Sequence, residues 1–255
     1  MINWNVNPIL LSFWNLEIRY YGLIYVIGFL ITFFYLNYLR KKQKLELSLN
    51  QLNDLLFYLI IGVILGARIF EVLFWNPGYY FSNPLEILAI WHGGMSFHGG
   101  LIGVIFAALI FCKKNNFNVL RLLDVLVIPG VFSLALGRIG NLFNSEISGI
   151  ITNVSWCFNF QNTEGCRHPY QIYAALKRFL VFGVLLMLNK KEHKQGYLFF
   201  ISMLLLAIGR FILDFFREDL RYLGLSIGQY FSIAIVVATA YILLKYYRKS
   251  YKSIN

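Results

Sequence analysis

Residues 20–39 read YYGLIYVIGFLITFFYLNYL, twenty positions without a charge, and the next five, Arg40-Lys41-Lys42-Gln43-Lys44, carry four positive charges. A helix of about 20 apolar residues is long enough to cross the roughly 30 Å hydrocarbon core of a bilayer. A basic cluster at its end belongs on the cytoplasmic side. The same alternation runs through the chain. Six further apolar stretches are expected to span, at 52–75, 97–112, 122–136, 171–188, 197–216 and 226–244, those at 97–112 and 122–136 being short and flanked or interrupted by glycine. The gaps after the first, third, fifth and seventh stretches hold 14 of the 23 basic residues, including Lys113, Lys114, Arg121, Lys190, Lys191, Lys194, Lys245, Arg248, Lys249 and Lys252. The expected fold is therefore an all-α integral membrane protein with seven transmembrane helices, the N-terminus outside and the C-terminus in the cytoplasm.

Composition supports that class and excludes others. Of the 255 residues, 58 % are hydrophobic and 14 % charged, against roughly 45–50 % and about 25 % in soluble domains. A disordered chain, a disulfide scaffold and a water-soluble enzyme are poor fits. The net charge of +11 resides in the gaps between apolar runs, so it reports topology and not a nucleic-acid partner. The first nineteen residues lack a basic n-region and are broken by Asn3, Asn5 and Asn7, so no cleaved signal peptide is expected. The chain is read as a single membrane-embedded domain over 1–255, with a small extracytoplasmic head at 141–170 between the fourth and fifth helices. Cys157 and Cys166 lie in that head, and their spacing is compatible with either a disulfide or two thiols. Cys112 reads as a packing residue.

Charges at membrane depth cost about 2.5–3.5 kcal/mol each at a helix centre, so each requires a reason. Arg68 and Glu71, spaced i,i+3, either neutralise one another or serve a site. Arg210 and Asp214, spaced i,i+4, pose the same choice. Asp124 reads as a structural partner or a helix-end charge. Lys177 and Arg178 read as snorkelling to the interface, Arg217 and Arg221 as headgroup-level anchors, and His92 and His193 as solvated.

Two segments resist a purely structural account. Residues 91–100, WHGGMSFHGG, hold four glycines, so the backbone must bend there or admit a close neighbour. His98, set in that bend, can exchange a proton near neutral pH. Residues 137–149, GRIGNLFNSEISG, place Arg138, Asn141, Asn144 and Glu146 where an apolar helix is expected to end. Arginine offers a planar fork of donors suited to phosphate, and at a membrane surface the abundant phosphate is the lipid headgroup. The expected chemistry is a site that grips a phospholipid, with a base nearby.

Segment 137–149 resembles the signature G-R-x-G-N-(F)-x-N-x-E-x-x-G of the bacterial prolipoprotein diacylglyceryl transferases, with Leu142 where phenylalanine is usual. The similarity extends through Arg19-Tyr20-Tyr21-Gly22-Leu23, Gly66-Ala67-Arg68, Gly94-Met95-Ser96-Phe97-His98-Gly99-Gly100 and Arg167-His168-Pro169-Tyr170-Gln171-Ile172-Tyr173. It continues through Gly209-Arg210-Phe211, Phe215-Phe216-Arg217 and Gly228-Gln229. The resemblance implies transfer of the diacylglyceryl group of phosphatidylglycerol to the lipobox cysteine of a prolipoprotein signal peptide, with thioether formation and release of glycerol phosphate. It implies His98, Arg138 and Arg210 as catalytic residues and Tyr21, Arg68, Asn141, Glu146 and Gly149 as lipid-binding residues. It also implies no cofactor and no metal, a monomer, and a site facing the extracytoplasmic side of the bacterial inner membrane. Two departures stand out: Leu206 where the family often has tyrosine, and Ala174 and Arg178 where it usually has glutamates. The alternative class is a seven-helix lipid or solute transporter, for which the chain shows no internal repeat.

Overall fold

The computed structural model describes residues 1–13, 16–161 and 163–247. The basic residues Arg248, Lys249 and Lys252 used in the topology argument lie outside the described residues. The helices are α1 (Tyr20–Lys41), α2 (Leu49–Phe70), α3 (Pro77–Ser82), α4 (Phe97–Asn115), α5 (Val119–Phe143), α6 (Tyr170–Leu188), α7 (Tyr197–Leu213) and α8 (Ile227–Ile242). A π-helical turn over Glu71–Trp75 prolongs α2, and another over Leu243–Tyr247 prolongs α8. Among the described residues, six helices are long and apolar enough to cross a membrane: Tyr20–Lys41, Leu49–Trp75, Val119–Phe143, Tyr170–Leu188, Tyr197–Phe216 and Ile227–Tyr247. The expected third span corresponds to α4, 19 residues long.

The all-helical expectation needs one amendment. Strands β1 (Ile2–Trp4), β2 (Ile9–Phe13), β3 (Leu16–Arg19), β4 (Phe158–Phe160), β5 (Arg221–Tyr222) and β6 (Leu225–Ser226) form three two-stranded sheets. Strand β1 pairs parallel with β4, with Asn3 opposite Asn159. That pairing joins residues more than 150 positions apart, which no local periodicity announces.

The chain folds as two compact units, Met1–Ile31 with Leu123–Asn255, and Thr32–Leu122. In the second, α2 and α4 pack antiparallel along small residues. A Cβ on Gly62 would lie 2.8 Å from that of Ala107, and one on Gly66 would lie 2.9 Å from the Cα of Gly103. Lipid gives apolar helices little reason to associate, so small residues that admit close backbone approach carry the contact. Ser48 and Gln51 form a capping box at the start of α2, and Gln51 Nε2 donates to Asn115 Oδ1 at 3.1 Å near the end of α4.

In the first unit α6 and α7 are antiparallel neighbours, and α7 packs on α8. Phe132 of α5 meets Phe179 and Phe182 of α6 at ring centroids of 5.5 and 5.0 Å. Asp124 accepts the backbone N–H groups of Gly196 (2.5 Å) and Phe199 (2.8 Å), so the second turn of α5 caps the N-terminus of α7. The structural reading of Asp124 holds, with the partner helix now identified. Trp4, Leu142, Phe158, Phe160 and Ile172 form a small core beyond the helices. Cys157 and Cys166 are joined by a disulfide, Cα–Cα 5.5 Å, resolving the alternative the spacing left open.

Candidate active site

Helix α5 runs seven residues past the apolar stretch at 122–136, to Phe143. Gly137, Gly140 and Asn141 are weak helix formers, yet the helix continues because its polar side chains find partners. As a result Arg138 and Asn141, at i,i+3, share one face. Arg138 Nη1 donates to Asn141 Oδ1 at 3.1 Å, Asn141 Nδ2 donates to Glu146 Oε2 at 3.1 Å, and Asn144 Nδ2 donates to Glu146 Oε1 at 3.2 Å. Ser145 and Ile147 adopt φ of 54° and 58°, turning the chain back so that Glu146 can reach the helix end. Gln171 Nε2 holds the Glu146 carbonyl at 2.6 Å, and the indole of Trp4 donates to the Leu142 carbonyl at 2.9 Å. One nitrogen of the guanidinium is thus oriented by a carboxylate acting through an amide.

Tyr21 stands beside this chain. A Cβ on Gly140 would lie 2.9 Å from the Tyr21 ring, so the glycine is the seat of that ring. The Tyr21 and Tyr25 hydroxyls are 3.3 Å apart.

Gly149 has a packing role that its residue type alone does not reveal. A Cβ there would lie 2.6 Å from the Phe216 carbonyl oxygen and 2.7 Å from His168 Cβ. Its N–H donates to the His168 carbonyl at 3.0 Å, and the Ile150 N–H donates to the Phe216 carbonyl at 3.0 Å. Arg167 closes the clasp, donating to the Gly149 carbonyl at 3.2 Å and to Glu218 at 2.5 Å.

At the end of α7, Arg210 Nε donates to Asp214 Oδ2 at 3.3 Å, and Tyr170 Oη donates to Asp214 Oδ1 at 2.7 Å. Asp214 is fully buried, whereas the Arg210 side chain is 48 % exposed. The internal i,i+4 pair is therefore real, but it uses one nitrogen and leaves the terminal edge of the guanidinium outward. A Cβ on Gly228 of α8 would lie 2.5 Å from Arg210 Nη2, so that glycine makes room for the arginine. The Arg138 guanidinium lies within electrostatic reach of Tyr21, Tyr170, Arg210 and Arg217. Tyr21, Arg138, Asn141, Glu146 and Arg210 are thereby gathered in the first unit, with Gly149 in the adjoining clasp.

Sequence reasoning missed three members of this group and left the fourth, Asp214, as an open i,i+4 partner of Arg210. Tyr170 and Asp214 anchor Arg210, and the register of α6 on α7 that joins them is invisible in either helix alone. Lys177 and Arg178, expected to snorkel, instead turn inward. Lys177 Nζ donates to the Leu206 carbonyl at 3.3 Å, its stem lying across Gly209, and Arg178 Nη1 donates to the Ala174 carbonyl at 2.8 Å.

Arg68 and His98 belong to the second unit. No ion pair joins Arg68 to Glu71 among the described residues; Glu71 instead accepts from Asn76 Nδ2 at 2.7 Å. Arg68 is 5 % exposed and spends its donors on backbone. Nε bonds the Ile87 carbonyl at 2.9 Å, Nη1 bonds the Gly93 and Gly94 carbonyls and Tyr80 Oη, and Nη2 bonds the Glu86 and Ala89 carbonyls. Gly93 and Gly94 adopt φ of 89° and 71°, conformations suited to glycine, and so turn both carbonyls onto one guanidinium. The close neighbours predicted for the glycine-rich run are thus Tyr80 and Arg68 for Gly94 and α2 for Gly99. His98 occupies the first turn of α4, exposed, its ring 6.4 Å from that of Phe70. Ser96 caps that turn through Gly99 N–H, receives the Trp75 indole at 3.1 Å and is tied to the Ala67 carbonyl at 3.1 Å.

Comparison with known proteins identifies the family. Residues 8–245 match the family model described as prolipoprotein diacylglyceryl transferase. A protein of Geobacter sulfurreducens named phosphatidylglycerol–prolipoprotein diacylglyceryl transferase is 37 % identical over 228 residues, 89 % of this chain and 88 % of its own. Proteins of that name from Rickettsia felis and Rickettsia typhi are 38 % and 37 % identical, covering 94 % and 96 % of this chain and 96 % and 98 % of theirs. With nearly the whole chain matched at that level, the chain belongs to the prolipoprotein diacylglyceryl transferase family.

Proposed function

We propose that this chain transfers the diacylglyceryl group of phosphatidylglycerol to the lipobox cysteine thiol of a prolipoprotein. Family membership supports the reaction and does not favour the transport alternative. Residue roles rest on the geometry above. The single observation that carries them is the Arg138–Asn141–Glu146 relay with the outward edge of Arg210 in its electrostatic field. A relay of this kind holds a guanidinium in a fixed pose before an anion arrives, which is the preorganisation that stabilises developing charge.

In the proposed mechanism the thiol, with a free pKa near 8.5, must lose its proton to attack. A base accepts that proton, directly or through water, the part the family resemblance gives to His98. Sulfur attacks the glycerol carbon that bears the phosphate ester, the carbon–oxygen bond breaks, and its electron pair leaves on the phosphate. Arg138 and Arg210 hold that charge. Asn141 and Glu146 orient Arg138, Tyr21 contributes a hydrogen bond to the lipid, Gly149 lets the clasp close, and Arg68 acts through the turn it supports.

The site belongs on the extracytoplasmic face of the inner membrane in a seven-span monomer, N-terminus out and C-terminus in, with residues 141–170 as an external head on a single embedded domain. The alternation of basic residues supports that orientation. The test is a mass measurement. Purified protein, phosphatidylglycerol and a lipobox peptide should yield a peptide heavier by one diacylglyceryl unit, and Arg138→Ala should abolish the product. An Arg138→Ala protein with wild-type turnover would overturn the assignment.

A further inference from the structure

Helix α6 presents Tyr170, Ala174 and Arg178 on one face at four-residue spacing, and α7 presents Asp214, Arg210 and Leu206 likewise. Two contacts fix the antiparallel register between them: Tyr170 Oη on Asp214 at one level and Lys177 Nζ on the Leu206 carbonyl two turns away. Arg178 therefore lies on the face of α6 that meets the Arg210 side of α7. Only one of its nitrogens has a partner among the described residues, Nη1 on the Ala174 carbonyl. Arg178 Nε is buried without a hydrogen bond among those residues, as is Arg217 Nε. Arg178 interacts electrostatically with Arg138 and Arg210, and Lys177 with both of them and with Arg178; the carboxylate they share is Asp214. Such an excess of buried positive charge, with donors left over, is costly unless an anion completes it.

We propose that Arg178, backed by Lys177, is a further anion-holding residue of the Arg138–Arg210 cluster and makes the site select a phosphomonoester over a phosphodiester. The inference rests on the transferase reading above. As sulfur bonds to carbon and the carbon–oxygen pair passes to phosphate, a diester of charge −1 becomes a monoester whose second pKa is about 6, hence close to −2 at neutral pH. The thiol proton leaves to the base. An added cation attracts the second charge as well as the first, so Arg178 stabilises the departing group more than the bound lipid. It does so at a position where the family resemblance leads one to expect glutamate.

The experiment compares two soluble probes on the purified full-length protein in detergent. One is glycerol 1-phosphate, the monoester, and the other is glycerophosphoglycerol, the diester headgroup without acyl chains. Wild type should bind the monoester about ten-fold more tightly, the order expected for added charge-assisted hydrogen bonds. R178Q should lose most of that preference while its affinity for the diester stays within about two-fold, and R178K should recover part of it. An unchanged preference in R178Q, or equal weakening of both probes, would overturn the proposal. So would a wild-type protein without monoester preference, a result that needs no variant to fold. Lipobox-peptide turnover by wild type, run alongside, separates the two ideas: monoester preference without turnover sinks the transferase reading and leaves the anion selectivity standing.

Discussion

Gly228 carries no functional group, so replacing it tests geometry without removing chemistry. An alanine Cβ there would lie 2.5 Å from Arg210 Nη2 and 2.7 Å from Asp214 Oδ2. Ordinary van der Waals contact begins at 3.4 Å, so both partners must give way, Arg210 Nη2 by about 1 Å, a displacement large enough to cost ~10²-fold in rate when it misplaces a catalytic group. Asp214 is fully buried and held from its other oxygen by Tyr170, whereas Arg210 is half exposed. The arginine therefore moves further, swinging toward the outside, and the buried carboxylate shifts by less. The stability cost is modest. The Arg210–Asp214 bond is screened on the arginine side and contributes about 1 kcal/mol or less, and crowding the carboxylate costs about 1–3 kcal/mol. Alanine in a helix regains roughly 0.5–1 kcal/mol over glycine. Gly228→Ala should thus melt within a few degrees of wild type while lipobox-peptide turnover falls about 100-fold. Turnover and thermal unfolding measured on the same preparation decide it. Wild-type turnover in Gly228→Ala would refute the idea that the pose of Arg210 matters, and parallel loss of fold and rate would refute the separation of the two.

Other outcomes follow from the same contacts. Arg68→Ala strips a buried guanidinium from five backbone carbonyls and should destabilise the second unit by about 1–3 kcal/mol for each carbonyl left buried and unpaired; hydrogen exchange should rise first over residues 80–94, and lysine should not rescue it because it lacks the fork. Unchanged exchange there would argue against the clamp. Reducing the Cys157–Cys166 disulfide, which closes a short loop at a sequence separation of 9, should cost about 2–3 kcal/mol on the loop-entropy model, seen as a lower Tm in dithiothreitol for wild type and no shift for Cys157→Ala/Cys166→Ala. His168 is held below its ordinary value of 6.5 by burial. The unfolded chain therefore binds the proton more readily than the folded one, so this stability is complete above pH 6.5 and declines as the pH falls below it. His168→Gln should flatten that acid limb of the Tm-against-pH curve, and an unaltered limb would assign it elsewhere.

Much of this was legible in the chain itself. Apolar length and the placement of lysines and arginines located the helices, because a bilayer demands about 20 apolar residues and the rule of positive loops needs no tertiary information. The runs at 91–100 and 137–149 stood out as soon as glycine and charge density were noticed, and Arg138, Asn141 and Glu146 do form one relay. Gly94 and Gly149 admit a guanidinium and a backbone clasp, and the site residues stand around them.

What the sequence by itself determined is a helical membrane chain, its family and the residue types of its site. Tertiary structure alone decided that Arg68 supports a turn, that Tyr170 backs the Arg210–Asp214 pair, and that Lys177 and Arg178 face inward. The physical reason is one of range. Hydropathy and charge are properties of a segment and its solvent, so they can be read locally. The direction of a buried cation depends on which carbonyl or carboxylate the neighbouring helix brings within about 3 Å, and that register is fixed only when the helices pack.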